Sequence, residues 1–436
     1  MRFTAGAIAA ATGGALVGED VEVDGAAFDS REVRPGQLFV PLVDARDGHD
    51  FIAAALEAGA VAYLTARQPT GGTAVVVEDT AGALMALGAA ARDRLPDRVV
   101  GVTGSVGKTT VKDALRAVLA ERFVTAANER SFNNEIGVPI TLVNAPPGAE
   151  AVVVEMGARG LGHIARLCEV ARPTIGVVTA VGMVHTELFG SVDDVARGKA
   201  ELVEALPADG TAVLNADDER VAAMRDRTPA AVVTYGVEQP ADVRATEVAL
   251  DGELRPAFTL HSPWGTAAVR LSMQGVHQVG NALAAAAAGL AAGASLDDVA
   301  AGLGSATPSP WRMEVGRARS GALVINDAYN ANPLSVAAAL RSLAAVDAGR
   351  RIAFLGHMAE LGPSAADAHR EAAALARSLG IRVVAVAEPM YGVEGVEDAA
   401  AAFRLAGTLQ LGAGDAVLVK GSRVAGLEAL AAALLA

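Results

Sequence analysis

The sequence predicts an α/β fold divided into three domains, and three observations predict it. The chain has 436 residues, whereas a single hydrophobic core stops growing at roughly 250–300 residues, so the chain must divide. Hydrophobic types make up 52% of the chain and aromatics only 4%, which calls for cores of Ala, Val and Leu on closely packed strands and helices. Short β-branched runs also alternate with Gly, Pro and Asp turns and with helical stretches along the whole length.

The N-terminal stretch MRFTAGAIAAATGGAL imitates a secretion signal, but its apolar part is Ala and Gly, so a short helix ended by Gly13-Gly14 is expected. The runs VEVDGAAFDS, QLFVPLV, VAYLTA and TAVVVED then predict a small α/β domain over residues 1–97. At DRVVGVTGSVGKTT the pattern becomes a buried strand, a Gly-rich turn and the helix TVKDALRAVLAERF, which opens a second domain, 98–308. EAVVVEM, TIGVVTAV and GTAVLNADD each lead into a polar or helical segment, as strands of a mostly parallel sheet do. Pro308 and Pro310 mark a linker. Beyond it ALVINDAYN, RIAFLGHM, VVAVAE and DAVLVKGSR alternate with helices and predict a Rossmann-like third domain, 309–436.

Composition also excludes partners. A formal charge of −14 argues against nucleic acid, whose binding needs clustered Lys and Arg. No apolar run of about 18 residues occurs, so no integral membrane segment is expected. The single cysteine, Cys168, cannot close an intramolecular disulfide, and no Cys/His group has zinc-ligand spacing, which suits a reducing, cytoplasmic setting.

Chemistry enters at Thr103-Gly-Ser-Val-Gly-Lys-Thr-Thr110. Gly104 and Gly107 let the backbone approach a polyphosphate, and the N–H groups of Ser105, Val106 and the helix start complement its charge. Lys108 can reach the β and γ phosphates, and the Thr109 hydroxyl, followed by Thr110, is placed for Mg²⁺. The strict phosphate-loop spacing fails, because Val102 stands where the first Gly belongs. Glu155 follows the apolar run AVVV, so its carboxylate emerges at the carboxyl end of a buried strand, as a Mg²⁺ ligand or one half of an ion pair. On their own His185 reads as a hydrogen-bonded core or edge histidine and Lys199 as a solvated helix lysine.

Taken with these strings, the chain resembles the Mur ligase family. The shortened loop with its Thr-Gly start and Lys-Thr-Thr end, FNNEIGVPITL with Asn133 and Asn134, EMGARGLGHI, and VGMVHTELFGSVDDVARGKAEL all resemble its central domain. The resemblance implies that Glu155 binds Mg²⁺, that His185 and Lys199 form a second metal site, and that Lys199 is carbamylated, which requires a neutral amine. In MQGVHQVGN it implies that Asn281 meets adenine, with a helix N-cap as the alternative, although Gln278 stands where Asn is commoner. Arg312 would lie over the γ-phosphate, Asp327 would hold ribose and Tyr329 would flank the base, so catalysis would need domain closure.

INDAYNANPLSV, with Asn330 and Asn332, resembles the family's D-alanyl-D-alanine-adding branch, as do LGHMAELG and LVKGSR, with His357, Lys420 and Arg423 as substrate candidates. His357 stands where Asp is frequent. FDSREVRPGQLFVPL and RDGHDFIAAALEAGA resemble the uridine-nucleotide domain, making Ser30, Arg31, Asp47 and His49 candidate contacts, with ordinary turn chemistry as the alternative. The implied activity is an ATP- and Mg²⁺-dependent ligase, expected as a monomer, that adds D-alanyl-D-alanine to UDP-N-acetylmuramoyl-tripeptide through an acyl phosphate in peptidoglycan synthesis. A different amino-acid adder, a folylpolyglutamate synthase and a non-catalytic nucleotide-binding module are the rivals.

Overall fold

The structure is a computed structural model that describes residues 1–129, 131–183 and 189–436. His185 lies outside the described residues. The first helix, Ala5–Thr12, is capped by the Thr4 side chain and closed by Gly13, whose φ of 65° suits a residue without a Cβ. Among the described residues no helix is long and apolar enough to cross a membrane.

A five-stranded sheet occupies the N-terminal part, in the order Ala15–Val17, Thr73–Val76, Ala62–Thr65, Leu38–Phe39, Ala26–Ala27. All its pairs are parallel except the first. The run VEVDGAAFDS, expected as one strand, is two. Gly25, at φ 79°, turns the chain so that Glu22–Asp24 pairs with Arg2–Thr4 while Ala26–Ala27 joins the larger sheet. A Cβ on Gly25 would collide with the Asn144 side chain, which pins the turn by bonding both Ala26 N and Ala26 O, at 2.8 and 2.9 Å.

The central sheet has nine strands in the order Gly265–Arg270, Pro256–Ser262, Val243–Leu250, Ala231–Gly236, Thr211–Asn215, Ile175–Val178, Val99–Thr103, Ala151–Glu155, Thr125–Ala127. It is parallel up to an antiparallel meander formed by the three strands between Val243 and Arg270, which sequence periodicity had not marked. After Val99–Thr103 the chain runs to one side of that strand and then crosses to the other. Loops therefore diverge above its carboxyl end, where open sheets of this kind hold ligands. On one face the phosphate-loop helix Lys108–Ala120 packs against Gln278–Ala291, whose Ala284 to Ala288 are fully buried. The contact suits small residues, since a Cβ on Gly289 would lie 2.7 Å from Val118 of the facing helix. The other face shares its core with the N-terminal part, where Gly88 of helix Thr80–Arg92 abuts Pro139 of helix Gly137–Val143.

The C-terminal sheet has six strands in the order Glu314–Arg317, Leu323–Asn326, Asp415–Lys420, Arg350–Leu355, Arg382–Val386, Gly395–Val396, parallel except at Glu314–Arg317. The last long strand, Asp415–Lys420, inserts between the first two parallel ones, so Asp327, Gly356 and Gly421 leave the sheet side by side. Leu254 and Met183 from the central part pack into this domain's core.

Candidate active site

A cleft of about 660 Å³ lies between the phosphate loop and the C-terminal sheet. The central part supplies Gly104 through Thr110, Ser131, Asn133, Asn134, Glu155, Lys199, Gln278 and Asn281, and the C-terminal part supplies Arg312, Asp327, Tyr329, Asn330, Asn332, Lys420 and Arg423. Residues separated by hundreds of positions therefore share one space.

The loop is shaped by its glycines and by the segment after Ile175–Val178. Gly104 has φ 147° and a Cβ there would overlap the Thr179 hydroxyl, while a Cβ on Gly107 (φ 84°) would sit 2.5 Å from Asn281 Oδ1. Ser105 N donates to Ala180 O at 2.7 Å, Ser105 Oγ accepts from Gly182 N at 2.9 Å, and Thr179 Oγ1 donates to Val106 O at 2.5 Å. Lys108 starts the helix and donates from Nζ to Gly104 O at 2.7 Å. Burial first, opposed by Glu155 and reinforced by Arg312, holds its ammonium below the ordinary lysine range.

Glu155 ends its strand almost fully buried. Its Oε1 accepts from Asn133 Nδ2 at 2.7 Å, but Oε2 has no partner among the described residues. An unmatched buried carboxylate oxygen costs at least ~1–3 kcal/mol, so its persistence beside a hydroxyl and two lysines fits a cation ligand. Lys199 is also buried, with an amine held well below its usual range by burial and then by the charge of Lys108. The solvated-helix reading of Lys199 is thereby corrected: helix Val192–Glu204 turns it inward.

Arg312 crosses from the linker. Its Nη2 donates to Thr109 Oγ1 at 3.0 Å and to Ser131 Oγ at 3.3 Å, and its guanidinium lies 4.1 Å from the Tyr329 ring centroid. Its Nε is buried without a partner among the described residues. Trp311 and Met313 on either side both have positive φ, 61° and 54°, at roughly 1–3 kcal/mol each. Asp327 receives Met313 N at 3.2 Å on one oxygen and Lys420 Nζ at 2.5 Å on the other, and Lys420 also donates to Asn330 O at 2.7 Å. Arg423 stacks on Trp311 and pairs with Glu428.

Two models for parts of Mur ligases match the chain: the Mur ligase middle domain over residues 102–289, and the Mur ligase glutamate ligase domain over 311–423. A UDP-N-acetylmuramoyl-tripeptide–D-alanyl-D-alanine ligase of Mycobacterium tuberculosis is 42% identical across 94% of this chain and 91% of its own. The chain belongs to the Mur ligase family. Its fold is similar to crystal structure I of MurF from Acinetobacter baumannii, with TM-score 0.91 and 30% identity over 100% of this chain and 99% of that one. It is also similar to the MurF ligase of Thermotoga maritima in complex with ADP, with TM-score 0.83 and 28% identity over 94% of this chain and 97% of that one.

Other expected residues of this Mur ligase hold local structure, some within the cleft and some away from it. Asn281 is not an N-cap: the helix begins at Gln278 with His277 as its cap, and Asn281 Nδ2 donates to Gln278 Oε1 at 2.7 Å. Gln278, the departure from the family's usual Asn, thus orients Asn281. Asn332 caps helix Pro333–Ala344 in a reciprocal box with Ser335, and Asn134 accepts from Ile136 N and Gly137 N. His357 faces Glu388, at 2.6 Å, and lines neither this cleft nor a second, of about 1130 Å³, between the N-terminal part and the phosphate-loop helix. Glu388 and His369 complete a group close enough for a metal, but both His369 nitrogens are taken, by Met358 N and Ala365 O.

Ser30, Arg31, Asp47 and His49 also lie outside both clefts. Arg31 is exposed and paired with Asp29. The Asp47-Gly48-His49 turn satisfies itself: Asp47 Oδ1 accepts from His49 N at 2.9 Å, and buried His49 accepts from Ala66 N at 3.0 Å through Nε2. Sequence reasoning passed over Ser131, Thr179 and His277; only the polarity of Thr179 directly after a strand could have signalled one of them.

Proposed function

We propose that this Mur ligase uses ATP to join D-alanyl-D-alanine to a UDP-N-acetylmuramoyl-tripeptide, in peptidoglycan precursor synthesis, acting as a monomer in the cytoplasm. The observation that carries the reading is the bond from Arg312 to Thr109, by which a guanidinium on the C-terminal side meets the phosphate loop. The likeness to D-alanyl-D-alanine ligases over almost the whole chain supports the choice of substrates.

A carboxylate repels an incoming amine, so one of its oxygens must first become part of a leaving group. The tripeptide's terminal carboxylate attacks the γ-phosphorus of ATP, the bond to ADP breaks, and an acyl phosphate forms. Loop N–H groups, Lys108 and Arg312 disperse the charge that develops. The neutral amine of the dipeptide then attacks the acyl carbon, the C–N bond forms, phosphate leaves with the C–O electron pair, and the nitrogen sheds a proton. A closed cleft protects the acyl phosphate from water.

Glu155 and Thr109 would hold Mg²⁺, which supplies charge neutralisation at the phosphates. His185 and a carbamylated Lys199 would form the second metal position, and the depressed basicity of Lys199 suits that modification. Asn281 and Tyr329 take the adenine side and Asp327 the ribose. Asn133 faces the tripeptide, and Asn330, Lys420 and Arg423 face the dipeptide. Residues 1–97 take the uridine nucleotide, Asn134 and Asn332 shape the wall of the cleft, and Ser30, Arg31, Asp47, His49 and His357 lie away from it.

Phosphate release decides the matter. It should require both the UDP-linked tripeptide and D-alanyl-D-alanine; stimulation by glutamate or diaminopimelate instead would move the chain to another branch, and ATP binding without turnover would reduce it to a nucleotide-binding module.

A further inference from the structure

Asp113 lies on the phosphate-loop helix, largely buried, outside the cleft beside the phosphate loop but, with Ser309, in the wall of the larger one against the N-terminal part. Its Oδ2 accepts from both Ser309 N, at 2.9 Å, and Ser309 Oγ, at 2.7 Å. Ser309 stands between the two linker prolines, three residues before Arg312. The other oxygen pairs with Lys112 Nζ at 2.6 Å, and Lys112 donates in turn to Asn128 O at 2.9 Å. Asn128 accepts from Glu155 N at 2.6 Å and donates to Phe132 O, between Ser131 and Asn133. A continuous polar chain thus joins the linker to the backbone of Glu155 and to the segment whose Ser131 touches Arg312 and whose Asn133 touches Glu155.

From this we infer that Asp113 is a positioning residue: it anchors the linker at Ser309, so that Arg312, strung between two left-handed residues, is delivered to the phosphate loop and not to the open cleft. A carboxylate fits this task because it accepts two bonds from one residue while neutralising Lys112, whereas an amide keeps the shape without the charge. The inference rests on the ligase reading and adds to it a residue that acts on the phosphate loop through Ser309 and Arg312.

The variants Asp113→Asn and Ser309→Ala test it, alone and combined with each other and with Arg312→Ala. Each single change should lower kcat on the order of tenfold, the usual effect of losing a hydrogen bond to a charged group. KM for ATP should stay within about twofold, because the loop itself is untouched. Asp113→Asn should add little once Ser309→Ala or Arg312→Ala is present, since all act through one link. Additive losses, or a full Asp113 effect in the Arg312→Ala background, would overturn the inference. A second measurement does not depend on turnover: hydrogen exchange at the amide of Ser309 should accelerate in Asp113→Asn, and an unchanged rate there would sink the anchor. If the unaltered enzyme itself shows no dipeptide-dependent phosphate release, the ligase reading fails while the exchange result still decides the anchor.

Discussion

The phosphate loop and the Asp47-Gly48-His49 turn use nearly the same ingredients, a glycine flanked by charged and hydrogen-bonding residues, yet they differ in what is left over. Around the turn each partner is internal: Asp47 takes up His49 and Arg67, and His49 takes up Ala66 N. Around the loop the backbone is equally well tied, but Glu155 Oε2 and Arg312 Nε remain buried without partners among the described residues, and two lysines are held short of their normal basicity. Unmatched polarity in one enclosed space distinguishes a ligand site from a well-made turn.

Four substitutions probe that contrast. Lys108→Ala should reduce ligation by about 10³-fold, by analogy with the loss of a preorganised charge-stabilising group, while leaving thermal stability nearly unchanged. A drop confined to KM would mean that Lys108 only binds. Next, Glu155→Gln should cost about 10²-fold in kcat and raise the Mg²⁺ concentration needed for half-maximal rate, read from a metal titration; no shift in that titration would return Glu155 to a structural role.

The third concerns acid. Burial pushes His277 down to about 4, against the opposing charge of Asp327. The unfolded chain therefore binds a proton that the folded chain refuses between the ordinary histidine range and pH 4. Stability from this group is complete above the unfolded pKa and is lost as pH falls through the window, by on the order of 3 kcal/mol. Denaturation curves of His277→Asn should be flatter than those of the parent chain from pH 6.5 to 4. The smallest effect is expected at the turn: His49→Ala should lower stability by ~1–2 kcal/mol, through the orphaned Ala66 N–H, with kcat intact. A selective loss of kcat would restore His49 to the site.

The loop was legible because glycine, lysine and hydroxyl side chains must occur at fixed spacing within one turn, and spacing is what a linear sequence records. Glu155 was legible for a similar reason, as the first polar residue after a buried run. The Ser309–Asp113 link was not, since its partners lie 196 residues apart and each is an ordinary surface type. Asn281 was placed near the right helix end, but one turn of helix before it was missed, because Gln278 and Val279 carry no start signal. The turn at Asp47 left two readings open for the opposite reason: residues that favour ligand contact also favour turns, and their internal bonds appear only in the fold.

One feature of the fold bears on how the loop keeps its shape. Helix Gln278–Ala291 meets the phosphate-loop helix through methyl groups and through Gly289, where a Cβ would lie 2.7 Å from Val118 Cγ1. Alanine surrenders no rotamers when it is buried, whereas a leucine in each place would forfeit about 0.5–1 kcal/mol. The joint can thus be rigid before any nucleotide arrives, and binding energy need not be diverted into stiffening it. A small-residue seam here acts as a preset bearing, and enlarging it would be felt first as looseness in the grip on phosphate.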